Sequence, residues 1–264
     1  MNPALERIRT AKAQGRKIAA LTAYDYPTAK LLDESGIDLI LVGDSLGMVV
    51  LGLPDTVEVT MDDMLHHTRA AARGVERALL VADLPARSYE NPADAVRNAR
   101  RLVEAGAHAV KLEGGVRAQA QIAAITAADI PLLAHIGMLP QSVREEGGYK
   151  IKGRSEEGAR ALLADARAVE AAGAFGVVIE LATPAAARDI TAALAIPTIG
   201  IGAGTACDGQ ILVLHDLVGL FPWFRPKFVT AQAEVGAEIR AAAASYIAQV
   251  RGETPRPDGR VDRT

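Results

Sequence analysis

The chain has 264 residues, half of them apolar, which is enough for one large domain with a sizeable core. A net charge of −3 and the lack of any lysine- or arginine-rich run exclude a typical nucleic-acid-binding protein. Cys207 is the only cysteine, so the sequence excludes an intrachain disulfide and a cysteine-based zinc site.

The first segment of the chain is predicted to be a helix and not a targeting sequence. Residues 1–17 are too charged for a secretory signal peptide, and no apolar run approaches the about 18–20 residues of a membrane-spanning helix. Leu5 and Ile8 are spaced to share one helix face, which predicts a short amphipathic helix within 1–14. We therefore expect a cytoplasmic protein that binds neither a membrane nor nucleic acid.

One pattern then recurs along the chain: a helical stretch ends near a glycine, a short apolar run follows, and a polar residue closes the run. Because the runs are continuously apolar and do not alternate, they are typical of parallel strands that are covered on both faces. The predicted strands are 18–23, 38–43, 78–82, 108–112, 131–134, 175–179, 197–201 and 211–214. The clearest predicted helices are 28–35, 61–73, 92–105, 116–127, 156–172 and 184–193.

Eight such units predict an α/β fold, a (β/α)8 TIM barrel. A doubly wound parallel sheet is the alternative, although no G-x-G-x-x-G motif follows the first strand as in its dinucleotide-binding form. We expect one barrel domain over 1–251, including the N-terminal helix, and a disordered tail over 252–264, which is rich in proline and charge. The long polar stretch 138–155 is predicted to be a lid or a binding loop.

Polar residues close most of the predicted strands, and in a TIM barrel such positions meet at one opening, where active sites lie. These residues are Asp44, Ser45, Asp83, Lys111, Glu113, His135 and Glu180. Residues two apart in a strand share a face, so Lys111 and Glu113 should point the same way. Alternatively, each acid could cap the helix that follows it, and Lys111 with Glu113 could form a surface ion pair.

Four carboxylates in one opening require a compensating positive charge. Two like charges roughly 4 Å apart repel each other by about 4 kcal/mol at an effective dielectric constant near 20. Lys111 alone does not balance four acids. The available ligand atoms are oxygens and not thiolates, which favours Mg²⁺ as the compensating ion.

Seven stretches of the sequence together resemble one enzyme family. They are LTAYDYPTAKLL, LVGDSLGM, LLVADLP, AVKLEGG, AHIGMLPQSV, GGYKIKGR, and IGIGAG followed by DGQILVLHD. In this order, and over roughly residues 15 to 250, they resemble the ketopantoate hydroxymethyltransferases. The resemblance implies a barrel of the phosphoenolpyruvate/pyruvate-binding type, and a homodecamer. It also implies transfer of a hydroxymethyl group from 5,10-methylenetetrahydrofolate to 3-methyl-2-oxobutanoate, giving 2-dehydropantoate for pantothenate biosynthesis, through an enolate stabilised by Mg²⁺.

The matching motifs also imply a role for each polar residue at the strand ends. Asp44 and Asp83 would hold Mg²⁺, with Glu113 as a further ligand, directly or through water. The residues expected to bind the oxo acid are Asp44, Ser45, Asp83, Lys111 and His135. Glu180 would be the catalytic proton acceptor. The motifs do not indicate which residues contact the folate.

Three other functions compete with this interpretation. The first keeps the fold and the Mg²⁺ but is a carbon–carbon lyase or mutase of the isocitrate lyase/phosphoenolpyruvate mutase type. The lyases of that group carry a cysteine in a Lys-Lys-Cys-Gly-His loop, whereas Cys207 lies in GTACDG. The second is an aldolase that forms a Schiff base on Lys111, and the third is a barrel that binds a metabolite without catalysis.

Overall fold

The computed structural model describes residues 2–252, which divide after Leu212 into two compact units. The first unit contains all eight strands, and the second contains two helices. Except for Gly252, the predicted disordered tail lies outside the described residues. The single barrel domain over 1–251 stays a prediction. No helix within 2–252 is long and apolar enough to cross a membrane.

The strands and helices alternate along the first unit. The strands are β1 (Ile18–Thr22), β2 (Leu39–Val42), β3 (Leu79–Asp83), β4 (Ala109–Glu113), β5 (Leu132–Gly137), β6 (Gly176–Glu180), β7 (Thr198–Ile201) and β8 (Gly209–Leu212). The helices of this unit are α1 (Pro3–Ala11), α2 (Tyr26–Glu34), α3 (Leu46–Val49), α4 (Met61–Ala72), α5 (Pro92–Glu104), α6 (Gln119–Ala127), α7 (Val143–Glu146), α8 (Glu156–Ala171) and α9 (Pro184–Ala193). Short 3₁₀ turns cover Val116–Ala118 and Pro140–Ser142, and the second unit contains α10 (Leu214–Leu217) and α11 (Val235–Arg251).

The eight strands form a closed parallel barrel. Each strand pairs with the next one in sequence, and β8 pairs with β1, so the sheet has no free edge. The predicted (β/α)8 barrel is therefore confirmed, and the doubly wound sheet is wrong. Helix-facing side chains such as Ile40 and Leu80 pack with the surrounding helices in one apolar cluster. The continuously apolar strand sequences follow from this burial on both faces.

The N-terminal helix packs against inward-facing side chains at one end of the barrel. Leu5 and Ile8 of α1 join a cluster of inward-facing strand residues that includes Ile18, Leu39 and Leu79, each the first residue of its strand. Helix α1 therefore covers the amino-terminal end of the barrel. The predicted amphipathic helix is confirmed, and its apolar face has a structural role.

The observed strand bounds differ from the predicted ones mainly at their ends. Strands β3, β4, β5 and β6 extend to Asp83, Glu113, Gly137 and Glu180, one to three residues further than predicted. The predicted strand at 211–214 is wrong by two residues, because pairing with β1 begins at Gly209, outside the apolar run. The helices α3, α7, α10 and α11 were not predicted, although the alanine-rich sequence of α11 favours a helix.

Candidate active site

The alternation of side chains along each strand places the polar residues inside the barrel. Asp83 lies two residues after the inward-facing Val81, and His135 two after Leu133. By the same period of two, Lys111 and Glu113 follow the inward-facing Ala109. All of these polar side chains are buried except that of Glu180, which is 15% exposed. The predicted common orientation of Lys111 and Glu113 agrees with this geometry.

A chain of short contacts connects these residues across four neighbouring strands. Lys111 Nζ lies 2.8 Å from Asp83 Oδ1 and 3.3 Å from His135 Nδ1. His135 Nδ1 lies 3.4 Å from Glu113 Oε1, and His135 Nε2 lies 3.3 Å from Glu180 Oε2. The structure thus brings together five of the predicted site residues at the carboxyl end of the barrel.

Asp44 and Ser45 join this group from the segment between β2 and α3. The backbone N–H of Asp44 faces Asp83 Oδ2 at 3.4 Å, and the Asp44 side chain is buried. The Ser45 hydroxyl lies 2.9 Å from the hydroxyl of Tyr24, a buried residue that was not predicted as part of the site. Its only signal in the sequence is its place in the LTAYDYPTAKLL motif.

The acids at the strand ends do not cap the helices that follow. The side chains that accept the capping hydrogen bonds are those of Asn91 for α5 and Thr183 for α9, and no side chain caps α3, which follows Asp44, or the 3₁₀ turn and α6, which follow Glu113. Lys111 and Glu113 are both buried, so they do not form a surface ion pair. The two structural alternatives for these residues are therefore wrong.

Gln141 is a site residue that the sequence analysis did not single out. Its side-chain Nε2 donates hydrogen bonds to Asp44 Oδ2 at 2.8 Å and to the carbonyl oxygen of Leu84 at 3.0 Å. Its backbone N–H donates to Glu113 Oε2 at 3.1 Å, and the hydroxyl of Tyr89 donates to its Oε1. Gln141 lies in the loop after β5 and not at a strand end, so only its place in the AHIGMLPQSV motif indicated it.

Burial and like charges disfavour ionisation of Asp44 and Asp83. Burial, followed by the carboxylates of Asp83 and Glu113, raises the pKa of Asp44 well above its usual range. Burial also raises the pKa of Asp83, although the ammonium group of Lys111 opposes this effect. A cation bound beside Asp44 and Asp83 would oppose this effect and favour their ionised forms.

The two basic groups of the site are held in their charged forms. Burial alone would lower the pKa of Lys111, but the carboxylates of Asp83 and Glu113 raise it above its ordinary value. Burial and Lys111 would likewise lower the pKa of His135, but its contacts with Glu113 and Glu180 raise it to about 9. Four carboxylates thus face only two positive charges.

The donor atoms of the site fit a hard divalent cation. Glu113 Oε1 is buried, and its polar contact within the described residues is the 3.4 Å one with His135 Nδ1. Nowhere in residues 2–252 do three His, Cys, Asp or Glu side chains form a ready-made metal cage. Mg²⁺ does not need one, because it usually binds one or two carboxylates and keeps several water molecules or substrate oxygens. The oxygen ligands and the excess negative charge therefore fit Mg²⁺.

Solved structures with the same fold come from several other enzymes. Phosphonopyruvate hydrolase, solved in complex with oxalate and Mg²⁺, superposes with a TM-score of 0.66 and 18% identity, covering 98% of this chain and 92% of that chain. A 2,3-dimethylmalate lyase, described as a member of the PEP mutase/isocitrate lyase superfamily, superposes with a TM-score of 0.62 and 19% identity, covering 99% and 93%. At these identities the likeness shows the fold alone.

Sequence comparison identifies a much closer group. The family model described as ketopantoate hydroxymethyltransferase matches residues 3–256. A protein of Syntrophus aciditrophicus (strain SB), named 3-methyl-2-oxobutanoate hydroxymethyltransferase, is 52% identical over 94% of this chain and 92% of its own length. A protein of Clostridium novyi (strain NT) with the same name is 53% identical over 96% of this chain and 93% of its own length. The chain therefore belongs to the ketopantoate hydroxymethyltransferase family.

Proposed function

We propose that this chain transfers a hydroxymethyl group from 5,10-methylenetetrahydrofolate to 3-methyl-2-oxobutanoate, forming 2-dehydropantoate, a step of pantothenate biosynthesis. The observation that carries the proposal is the contact chain from Asp83 through Lys111 and His135 to Glu180 at the barrel opening. It supplies cationic groups for an oxo acid and a carboxylate for a proton in one place. Membership of the family agrees with this chemistry.

Glu180 is the group that we assign as the proton acceptor. The reaction breaks the C–H bond at C3 of the oxo acid, and the proton passes to a carboxylate oxygen of Glu180. The electron pair left on C3 forms the new bond to the methylene carbon of the folate. The two bonds from that carbon to N5 and N10 break, and each nitrogen takes up one proton, one released by Glu180 and one by a water molecule. The hydroxide of that water becomes the hydroxyl group of the product. Glu180 is the most exposed of the four acids and contacts His135 Nε2 at 3.3 Å, which orients its carboxylate.

The other side chains bind the oxo acid and the metal ion. Asp44 and Asp83 would hold Mg²⁺, with Glu113 as a direct or water-mediated ligand. When bound, Mg²⁺ would act as a Lewis acid that polarises the keto group and makes the proton on C3 more acidic. The ammonium group of Lys111 binds the oxo acid by charge attraction, and the Ser45 hydroxyl donates a hydrogen bond to it.

His135 completes the binding site for the oxo acid. It lies between Lys111 and Glu180, and contact with two acids keeps its ring charged. A charged imidazole at this point lines the site with positive charge and orients the Glu180 carboxylate through the 3.3 Å contact. A neutral residue of similar size would lack this effect.

The alternative functions have less support. A Schiff-base aldolase needs a neutral lysine, whereas the acids around Lys111 raise its pKa and keep it charged. A carbon–carbon lyase or mutase shares the barrel, but those structural neighbours are only 18–19% identical to this chain. The homodecamer and the cytoplasmic location stay predictions from the sequence.

The proposal is tested by incubating the purified protein with 3-methyl-2-oxobutanoate, 5,10-methylenetetrahydrofolate and Mg²⁺. We expect 2-dehydropantoate and tetrahydrofolate in equal amounts, with no product when the folate is omitted or EDTA is added. Cleavage of the oxo acid without folate would instead indicate a lyase. Activity that resists EDTA and is inactivated by borohydride in the presence of substrate would indicate a Schiff base on Lys111.

A further inference from the structure

We propose that Gln141 is a positioning residue that holds the carboxylates of Asp44 and Glu113 in the orientation in which they bind a divalent cation. This role rests on the proposed function, because it takes the two acids to be cation ligands. Gln141 belongs to the 3₁₀ turn Pro140–Ser142 in the loop after β5, whereas the acids belong to the segments of β2 and β4. One residue therefore connects three separate parts of the barrel opening.

The hydrogen-bond partners of Gln141 fix the orientation of its side-chain amide. The carbonyl oxygen of Leu84 can only accept a hydrogen bond, so the NH₂ group of the amide must face it at 3.0 Å. The same NH₂ group then donates its second hydrogen to Asp44 Oδ2 at 2.8 Å. The remaining Oε1 accepts from the hydroxyl of Tyr89. Rotation of the amide by half a turn would place Oε1 against two acceptors, and this arrangement is therefore excluded.

The backbone of Gln141 holds the second acid. Its N–H donates to Glu113 Oε2 at 3.1 Å, while its side chain holds Asp44 Oδ2. The other oxygen of each carboxylate, Asp44 Oδ1 and Glu113 Oε1, stays outside these bonds. Gln141 thus fixes one oxygen of each acid and leaves the other outside its own hydrogen bonds, where Glu113 Oε1 also faces His135 Nδ1 at 3.4 Å.

The side-chain amide of Gln141 is uncharged, and this property suits the orientation of metal-binding carboxylates. An arginine or lysine at this position would hold the same carboxylates but would also compensate their charge and compete with a metal ion. The amide orients the acids and leaves the excess negative charge of the site in place. Groups that hydrogen-bond metal-binding carboxylates in this way typically affect metal affinity by about 10–100-fold.

The test measures Mn²⁺ binding to the full chain by the electron paramagnetic resonance signal of the free ion. Gln141→Met keeps the length of the side chain but removes both donors and the acceptor. We expect Gln141→Met to weaken Mn²⁺ binding by about 10–100-fold relative to the wild type. The matched control is Ser142→Ala, since the side chain of the neighbouring Ser142 makes no capping hydrogen bond to α7, and this variant should bind Mn²⁺ like the wild type.

Thermal unfolding without metal shows whether each variant is folded at the assay temperature. A folded Gln141→Met protein that binds Mn²⁺ as tightly as the wild type would overturn the role of Gln141 alone. If the wild type itself binds no Mn²⁺, both this role and the metal assignment of the proposed function are wrong. If Gln141→Met does not fold, Tyr89→Phe is tested instead, because it removes the hydroxyl that donates to Gln141 Oε1. A loss of Mn²⁺ affinity of about tenfold supports the proposal, and unchanged Mn²⁺ affinity overturns it.

Discussion

At the scale of single residues, Asp83 has two roles that depend on its burial. Its carboxylate is almost fully buried and compensates the charge of Lys111 at 2.8 Å. The same carboxylate is assigned to the metal ion and, through it, to the oxo acid. A buried ion pair contributes little net stability compared with apolar residues of the same volume, so stability alone does not account for Asp83, which agrees with the binding role proposed for it.

We predict that Asp83→Ala loses metal affinity and oxo-acid affinity together. The loss in Mn²⁺ affinity should be at least about 100-fold, since even hydrogen-bond partners of ligands contribute 10–100-fold. Titration calorimetry with Mn²⁺ and then with 3-methyl-2-oxobutanoate measures both affinities. Unchanged affinity for Mn²⁺ would show that Asp83 is not a ligand.

Asp33→Ala is the matched control for this substitution. Asp33 is also a buried aspartate, but it accepts hydrogen bonds from the backbone N–H groups of Arg77 and Ala78, just before β3 begins. Its loss leaves the buried N–H of Ala78 and the part-buried N–H of Arg77 without this acceptor and should destabilise the fold by about 1–3 kcal/mol. Its Mn²⁺ affinity should equal that of the wild type.

At the scale of secondary-structure elements, the ends of β5 and β6 fix the backbone of Glu180, the proposed proton acceptor. Gly137 pairs with Glu180, and its φ of +99° lies in the region that favours glycine. A Cβ added at Gly137 would overlap the carbonyl oxygen of Glu180. Leu181, directly after Glu180, has a φ of +45°, so the backbone turns sharply at this point.

We predict that Gly137→Ala lowers both stability and kcat, whereas Gly36→Ala lowers stability alone. Gly36 also has a positive φ, +83°, but no atom lies within 4 Å of an added Cβ, so it reports the backbone cost alone, about 1–2 kcal/mol. Urea unfolding and steady-state kinetics of the two variants separate the effects. Equal losses of stability with normal kcat in both variants would show that the contact with Glu180 does not matter.

Helix α1 provides a prediction at the opposite end of the barrel. Ile8 is 1% exposed and packs with inward-facing strand residues, so Ile8→Ala should lower the free energy of unfolding by about 2–5 kcal/mol. Arg9→Ala, which removes an exposed ion pair with Glu6, should cost about 1 kcal/mol or less. Active sites of TIM barrels lie at the carboxyl ends of the strands, so kcat should be normal in both variants. A large fall in kcat for folded Ile8→Ala would contradict this separation.

The elements also show which parts of the structure can be predicted from the sequence. The apolar runs indicate the strands, since burial on both faces leaves a continuous signal. The start of β8 is hidden, because Gly209 and Gln210 enter the strand by pairing with β1 and not through apolar character. Gln141 is hidden for a similar reason: it reaches the site from a loop, where no periodic pattern reports the direction of a side chain.

At the scale of the whole molecule, closure of the barrel explains why distant residues form one site. Asp44 and Glu180 are separated by most of the first unit in sequence. Both lie at the same opening, because the carboxyl ends of all parallel strands meet there. The alternation along each strand then turns the last polar residue inward. The sequence therefore predicts the membership of the strand-end site, but the distances between its side chains depend on the closed barrel.

The central claim is that Glu180 removes the proton from C3 of the oxo acid. Exchange of this proton in D₂O, followed by proton NMR with Mg²⁺ and without folate, tests the claim directly. We predict that the wild type exchanges the proton and that Glu180→Gln slows the exchange by at least about 100-fold while still binding the oxo acid. Exchange at the wild-type rate by a Glu180→Gln protein that binds the oxo acid normally would contradict the claim.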